Sequence, residues 1–291
     1  MKKYLCILLT VFIASNVKGQ TSILQYQGEY SSPSINGFVR DAVFAHDTCY
    51  FISGDGKSVL MKRIDGSNLI NPFEGKIFHG ARGLCINNLH LIVLDINKIR
   101  IYTKEGTLVR EIEPVQNILY YYIWTKGFSE IMLASISHVL IYNYSTGTFV
   151  EQKKATETFD ESNFVNNGQR FIYGGYRKLY SYEYKNAATT ETDITTPLYR
   201  EYYDKSYHLS ACINNQMFWF DYYKRDSLFV TDGAVQTKIA SYPFFPISEK
   251  PTSDDIYTES GDPNLKIIPS QNAIYAIKIS ENKIKFYKLN I

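Results

Sequence analysis

The sequence predicts an all-β fold made of short antiparallel units repeated around a common axis, and three observations carry that expectation. First, a motif recurs. Leu84-Cys85-Ile86-Asn87-Asn88 leads into an apolar run ending at Asp95, and Ala211-Cys212-Ile213-Asn214-Asn215 leads into another ending at Asp221. The copies lie about three periods of roughly 42 residues apart, the range in which short strands build radial arrays. Second, turn signals fall at matching points: Asp65-Gly66, Gly106, Gly147, the weaker Asn186-Ala187, and Asp232-Gly233. Third, the chain is 15% aromatic with 25 tyrosines, which suits strands whose side chains alternate between buried and solvent-facing positions.

The second unit shows each element in turn. Residues 81–87 read as a first strand, 89–95 as a second, 98–104 as a third, 105–107 as a turn and 108–113 as a fourth. Asx-Gly and related pairs supply the positive φ that tight hairpin turns require, so they punctuate antiparallel strands. The longer step between the fourth and fifth turn signals places an insertion between those units. A sixth unit reads as 265–270, 273–279 and 283–289, and the sequence supplies no fourth strand after it. A last sheet lacking that strand would expose an open hydrogen-bonding edge. The alternating stretch 22–30 is expected to fill the place. The expectation is a six-bladed β-propeller of four-stranded antiparallel blades, its ring closed by pairing the N-terminal strand with the last blade. Five and seven blades are the neighbouring counts.

Residues 1–19 read as a signal peptide. Lys2 and Lys3 form the basic start, residues 5–14 form a short apolar core, and Val17-Lys18-Gly19 precedes a mature N-terminus at Gln20. Cys6 lies inside the apolar core rather than after it, which argues against a lipid anchor. Residues 20–291 are read as one domain with no transmembrane segment, since no later run reaches about 18 apolar residues. The expected location is the periplasm, the cell surface or the medium. A formal charge of +2 with both signs interspersed argues against nucleic acid as a partner. Cys49, Cys85 and Cys212 remain in the mature chain. The reading for them is small buried hydrophobes, with one disulfide plus a free thiol as the alternative.

Residues 89–112 (LHLIVLDINKIRIYTKEGTLVREI) resemble a blade of the NHL-like six-bladed β-propellers of exported Bacteroidota proteins, and residues 138–150 (HVLIYNYSTGTFV) repeat its second half. That resemblance implies a propeller whose members include binding modules and some enzymes. It carries no catalytic motif onto this chain.

In such a fold the loop entering each first strand lies at the mouth of a central channel, where ligands usually bind. The entry segments bring Arg40, His79 with Arg82, Tyr121, Glu161, His208 and Asn264 to that mouth. His79 and His208 stand shortly before the two motif cysteines and invite a role as a metal-binding or acid–base pair. Tyr202 and Tyr203 belong to one of two insertions, 195–207 and 242–264, expected to fold over the mouth. Their rings offer flat apolar area and a hydroxyl to a sugar or peptide. No cofactor is implied. Calcium is a secondary option, because Glu161, Asn163, Asp262 and Asn264 supply carboxylate and amide oxygens. No Gly-x-Ser-x-Gly elbow or phosphate loop occurs, and Gly54-Asp55-Gly56-Lys57 reads as a hairpin turn. The expected function is binding of a carbohydrate or peptide at the channel mouth, more than catalysis. The alternatives are a metal-assisted hydrolase or lyase at the same mouth, or a structural part of an envelope complex.

Overall fold

The computed structural model describes residues 24–289 apart from stretches between strands, of which 194–206 and 244–264 are the longest. Side chains are described through most of 25–149 and 273–289. The described chain holds 23 strands and no α-helix, so no helix is long and apolar enough to cross a membrane.

The first strand, β1, runs Leu24–Ser31. A first sheet is built from β2 (Val39–Ala45), β3 (Thr48–Ser53) and β4 (Val59–Arg63). The second sheet is β5 (Ala81–Ile86), β6 (His90–Asp95), β7 (Lys98–Thr103) and β8 (Leu108–Ile112), within a residue or two of the strands read from the sequence. The third is β9 (Tyr122–Lys126), β10 (Glu130–Ala134), β11 (His138–Asn143) and β12 (Thr148–Lys154). The fourth is β13 (Phe164–Asn166), β14 (Arg170–Gly175), β15 (Lys178–Glu183) and β16 (Ala188–Asp193). The fifth is β17 (Tyr207–Ile213), β18 (Gln216–Asp221), β19 (Ser227–Asp232) and β20 (Lys238–Pro243). In the sixth, β21 (Leu265–Pro269), β22 (Ile274–Ser280) and β23 (Lys283–Leu289) are joined by β1 from the other end of the chain.

Neighbouring strands within every sheet are antiparallel, and all are consecutive in sequence except at the β1–β23 seam. That seam pairs Leu24 with Leu289 and Ser31 with Lys283, is bulged at Gln27, and carries an edge-to-face contact between Tyr26 and Tyr287 at 5.8 Å. The expected terminal strand 22–30 is therefore found as Leu24–Ser31, paired where the sequence placed it.

One sheet departs from the expected four strands. Among the described residues after β4 the chain does not return as a fourth strand, although Asp65-Gly66 reads as the turn leading into one. Asn71-Pro72 explains the break. Proline has no N–H to give a ladder, the Asn71 side chain accepts from Phe73 N (3.1 Å), and its amide donates to the Val59 carbonyl (3.1 Å). The segment instead drives Phe73 and Phe78 into the space between the first and second sheets. There they meet Tyr50 and Tyr102 at ring distances of 5.5 to 6.3 Å. Burying two phenyl rings outweighs a few edge hydrogen bonds, since a fully buried Phe contributes about 1.5–3 kcal/mol and a net hydrogen bond about 1. The Pro72 carbonyl presses onto Gly106, whose positive φ of 84° makes the β7–β8 turn and which has no room for a Cβ.

The core lies between sheets, face against face. Phe44, Phe51, Ile277 and Phe286 join the first sheet to the sixth. Val59, Phe73, Leu91 and Val93 join the first to the second. Ile92, Ile101, Ile123 and Leu133 join the second to the third. The first strands of the sheets are also the ones that approach one another: β2 meets β5 and β21, β5 meets β9, and β17 meets β13 and β21. Between β9 and β13 there is no comparable approach among the described residues.

Candidate functional site

The entries to the first strands are fixed by carboxylates that end or precede apolar strands. Asp95, the last residue of β6 and 3% exposed, accepts from His79 N (2.9 Å) and Gly80 N (2.8 Å) and pairs with Arg100 Nη1 (2.9 Å). Ile96 N then donates to the Gly80 carbonyl (3.2 Å). A buried carboxylate is tolerated when hydrogen bonds and a counter-charge surround it. Asp95 therefore straps the chain entering β5 to the end of β6. The repeated motif ends on this aspartate and on Asp221, but spacing gives no hint of what it holds.

The first sheet is tied to the second in a related way. Gly54-Asp55-Gly56-Lys57 is the expected hairpin, joining β3 to β4. The Asp55 carboxylate accepts from the Ser53 hydroxyl (2.6 Å) and Lys57 N (2.9 Å). The Ser53 bond leads in holding its pKa below the usual carboxylate value. Gly56, at φ 72°, accepts from Ala81 N at the start of β5 (2.8 Å), and a Cβ there would stand 2.9 Å from the Ala81 carbonyl. Asp41 of β2 reaches across as well, accepting from Leu84 N of β5 (2.7 Å) and from Ala42 N (2.9 Å).

Two arginines occupy matched irregularities. The β2–β3 register slips between Val39 and Ala42, and the β5–β6 register slips between Ala81 and Gly83. Arg40 and Arg82 stand at these bulges, both half-buried. A bulge adds one residue and re-aims its side chain. Arg40 Nε donates to the Gly54 carbonyl (2.9 Å). Its guanidinium carbon and the Ala81 carbonyl oxygen lie 3.1 and 2.9 Å from the point a Gly56 Cβ would take, so they are no farther apart than those two distances together. Arg82 is the next residue.

The other expected site residues are more scattered. His79 is exposed and precedes β5, held through its backbone N–H. His208 lies inside β17 opposite Phe220, so the two histidines are not at matching register positions. Tyr121, Glu161, Tyr202, Tyr203 and Asn264 lie outside the described residues. Beside Tyr121, Tyr120 is fully buried, and burial raises its hydroxyl pKa to about 12. Tyr122 and Trp124 on β9 are half-buried, with rings parallel within 8° and 5.9 Å apart. Ile123 faces the second sheet, so by strand alternation these two rings stand on the opposite face of β9. Tyr122 falls in an entry segment, but sequence reasoning misses Trp124. An aromatic at strand spacing reads as core until a structure shows which face it is on.

Cys49 and Cys85 are buried free thiols, and burial first, then the Asp41 charge, raises the pKa of each well above the ordinary value. That agrees with the packing role expected of them. His90 reads in the sequence as an exposed turn residue, but it is half-buried against Tyr144 (ring distance 6.2 Å), with Nδ1 sealed from solvent. Asn87, from the motif's Asn-Asn pair, accepts from His90 N (2.7 Å) and donates to the Tyr144 hydroxyl (2.9 Å).

No family model and no curated protein matches this chain in sequence. Solved structures do match in shape. The chain is similar to the WD40 repeats of RRP9, with a TM-score of 0.60 at 9% identity over 92% of this chain and 100% of that one. It is also similar to the Neurospora crassa Pan2 WD40 domain, with a TM-score of 0.53 at 11% identity over 94% and 87%. A chain of a nidogen/laminin complex gives 0.53 at 7% identity over 74% and 82%. At such identities the likeness speaks for fold alone, and the fold is a β-propeller.

Proposed function

We propose that the chain is an exported six-bladed β-propeller acting as a binding module, its ring closed by the β1–β23 seam, with a carbohydrate or peptide held at the mouth formed by the first strands. Six antiparallel sheets and the terminal pairing support the blade count and the closure. Export rests on residues 1–19, and N-terminal sequencing of the mature protein at Gln20 tests it. The NHL-like repeat is kept as part of this reading. The observation that carries the binding role is the make-up of the converging first strands. Among the described residues the sheets meet mainly through buried aliphatic and aromatic groups, while β2, β5 and β9 place Arg40, Arg82, Tyr122 and Trp124 in half-buried positions. Flat rings and forked cations that are partly desolvated are the groups that anchor ligands. The solved nidogen/laminin complex is an assembly of two proteins, which keeps a peptide beside a sugar as ligand.

Calorimetric titration with a panel of oligosaccharides and extended peptides tests the reading. At least one is expected to bind, and Trp124→Ala is expected to weaken it tenfold or more while the protein still melts cooperatively. If nothing in the panel binds, or if Trp124→Ala binds as the wild type does, this mouth is not the site.

A further inference from the structure

We infer that β1 is an exchangeable strand and that two copies of this chain trade it, the β1 of each pairing with the β23 of the other in a closed dimer. The outer strands β8 and β12 are tied to their neighbours by hairpins. Thr103 N donates to the Thr107 carbonyl (2.9 Å) between β7 and β8, and Gly147 N donates to the Asn143 carbonyl (2.9 Å) between β11 and β12. When such a strand leaves its ladder, it closes again on its own sheet. β1 has no turn into β23 and is joined to it by the ladder. Once released, it meets the β23 of a second copy with the same register and the same contacts.

The side chains of β1 put little into the core. Gln25, Tyr26, Glu29 and Ser31 are exposed, Gln27 is half-buried, and Gly28 has no side chain to bury. Tyr30 joins the packing between the sixth and first sheets, 6.1 Å from Phe51 and with Lys62 Nζ 4.3 Å from its ring centre. The bulge at Gln27 interrupts the ladder as well. β23, by contrast, is held on its other side by β22 and buries Ile284 and Phe286. Lifting β1 is therefore a local opening and leaves the rest of the sheet in place.

The residues after β1 define the hinge. Ser32 N donates to the Asn282 carbonyl (2.8 Å), Ile35 N donates to the Ser32 carbonyl (3.1 Å), and the Ile35 side chain is fully buried. Release stops at Ser32, and Pro33 stiffens the pivot by fixing its own φ. Ser31 pairs with Lys283, so the pivot lies at the end of the sixth sheet, beside Asn282. Two copies that bring these ends together pass β1 across without stretching the chain. Charge favours the same occupant. Residues 24–31 carry Glu29 and no Lys or Arg, whereas 283–289 carry Lys283, Lys285 and Lys288 and no Asp or Glu. Glu29 lies opposite Lys285 and 3.6 Å from Lys283, and opposite charges across paired strands stabilise the pairing. Exchange leaves the first strands untouched, so the binding role stands or falls separately.

Size-exclusion chromatography with light scattering tests this, each sample being held first a few degrees below its melting temperature so that β1 opens. The tethered strand competes at an effective concentration of about millimolar. A monomer in dilute solution and a dimer as the protein approaches that concentration are expected, and a monomer throughout overturns the inference. Cysteine pairing then identifies the dimer. Tyr26 stands opposite Tyr287, so a chain carrying Tyr26→Cys is co-expressed with one carrying Tyr287→Cys and the mixture is oxidised. A disulfide joining positions 26 and 287 of different chains is expected in the digest by mass spectrometry, because strand exchange brings those positions together. A chain carrying both substitutions is expected to close the same bridge within a monomer in dilute solution. If the tyrosine variants do not fold, or the doubly substituted chain does not close, Glu29→Cys with Lys285→Cys repeats the test at another opposed pair. A dimer without the bridge between chains, while the doubly substituted chain closes its own, overturns strand exchange in favour of docking between intact rings.

Discussion

Asp95 shows how much a single residue holds at this scale. Its side chain is 1% exposed, and it satisfies two backbone amides and one guanidinium at once. Asp95→Ala would leave those amides facing a buried void, although Arg100 keeps Glu111 (3.0 Å) and the Ile77 carbonyl (2.9 Å) as partners. Breaking one side of a buried pair costs about 3–5 kcal/mol. The expected outcome is a loss near the lower end of that range, read as a shift in the denaturant midpoint with an unchanged slope. A loss below about 1 kcal/mol, the scale of an exposed pair, would mean that Asp95 does not strap the β5 entry. The sequence marks Asp95 as the end of an apolar run but not as a clamp, because its partners at residues 79 and 80 are backbone amides, which leave no trace in side-chain patterns. Arg40 and Arg82 are more legible. A charge interrupting an apolar strand at its entry is visible in the residues, whereas the bulges that aim these side chains obey no period and emerge only in the folded chain.

At the scale of elements, period and turn chemistry locate the second sheet's strands almost to the residue. The short unbroken apolar run 91–94, bounded by turn residues, and the Gly106 turn both mark the strands directly. The same signals fail at the fourth strand of the first sheet. Asp65-Gly66 is a turn sequence, but the path of the chain beyond it is decided by whether Phe73 and Phe78 find a cavity between two sheets, which is tertiary information. Phe73→Ala tests this account. Phe73 is 2% exposed and packs on Tyr50 and Tyr102, so removing it should cost about 3–5 kcal/mol. Ile70 in the same segment is 92% exposed, and Ile70→Ser should stay within about 0.5 kcal/mol of wild type. Equal effects at the two positions would show that the segment is a loose connection rather than an anchored replacement for a strand.

For the whole molecule, the decisive contact joins the two ends of the chain. β1 pairs along its length with β23, Lys283 approaches Glu29 at 3.6 Å, and the Tyr26 ring lies against Tyr287. The exposed ion pair contributes little, at most about 1 kcal/mol. The ladder and the cover it gives β23 matter more. β23 buries Ile284, Phe286 and Leu289, so without β1 a hydrophobic strand would end the sheet with unpaired N–H and C=O groups. Joining the first strand to the last also makes the sixth sheet depend on residues separated by nearly the whole chain. Such a contact forms late and slows folding. A protein lacking residues through Ser31 should therefore melt at a lower temperature and self-associate through β23. Adding a peptide with the sequence of 24–31 should restore a monomer, because it offers the missing edge in trans. Size-exclusion chromatography with light scattering separates the outcomes. If the truncated protein stays monomeric and melts as the full chain does, β1 is an ornament on a sheet that is stable without it.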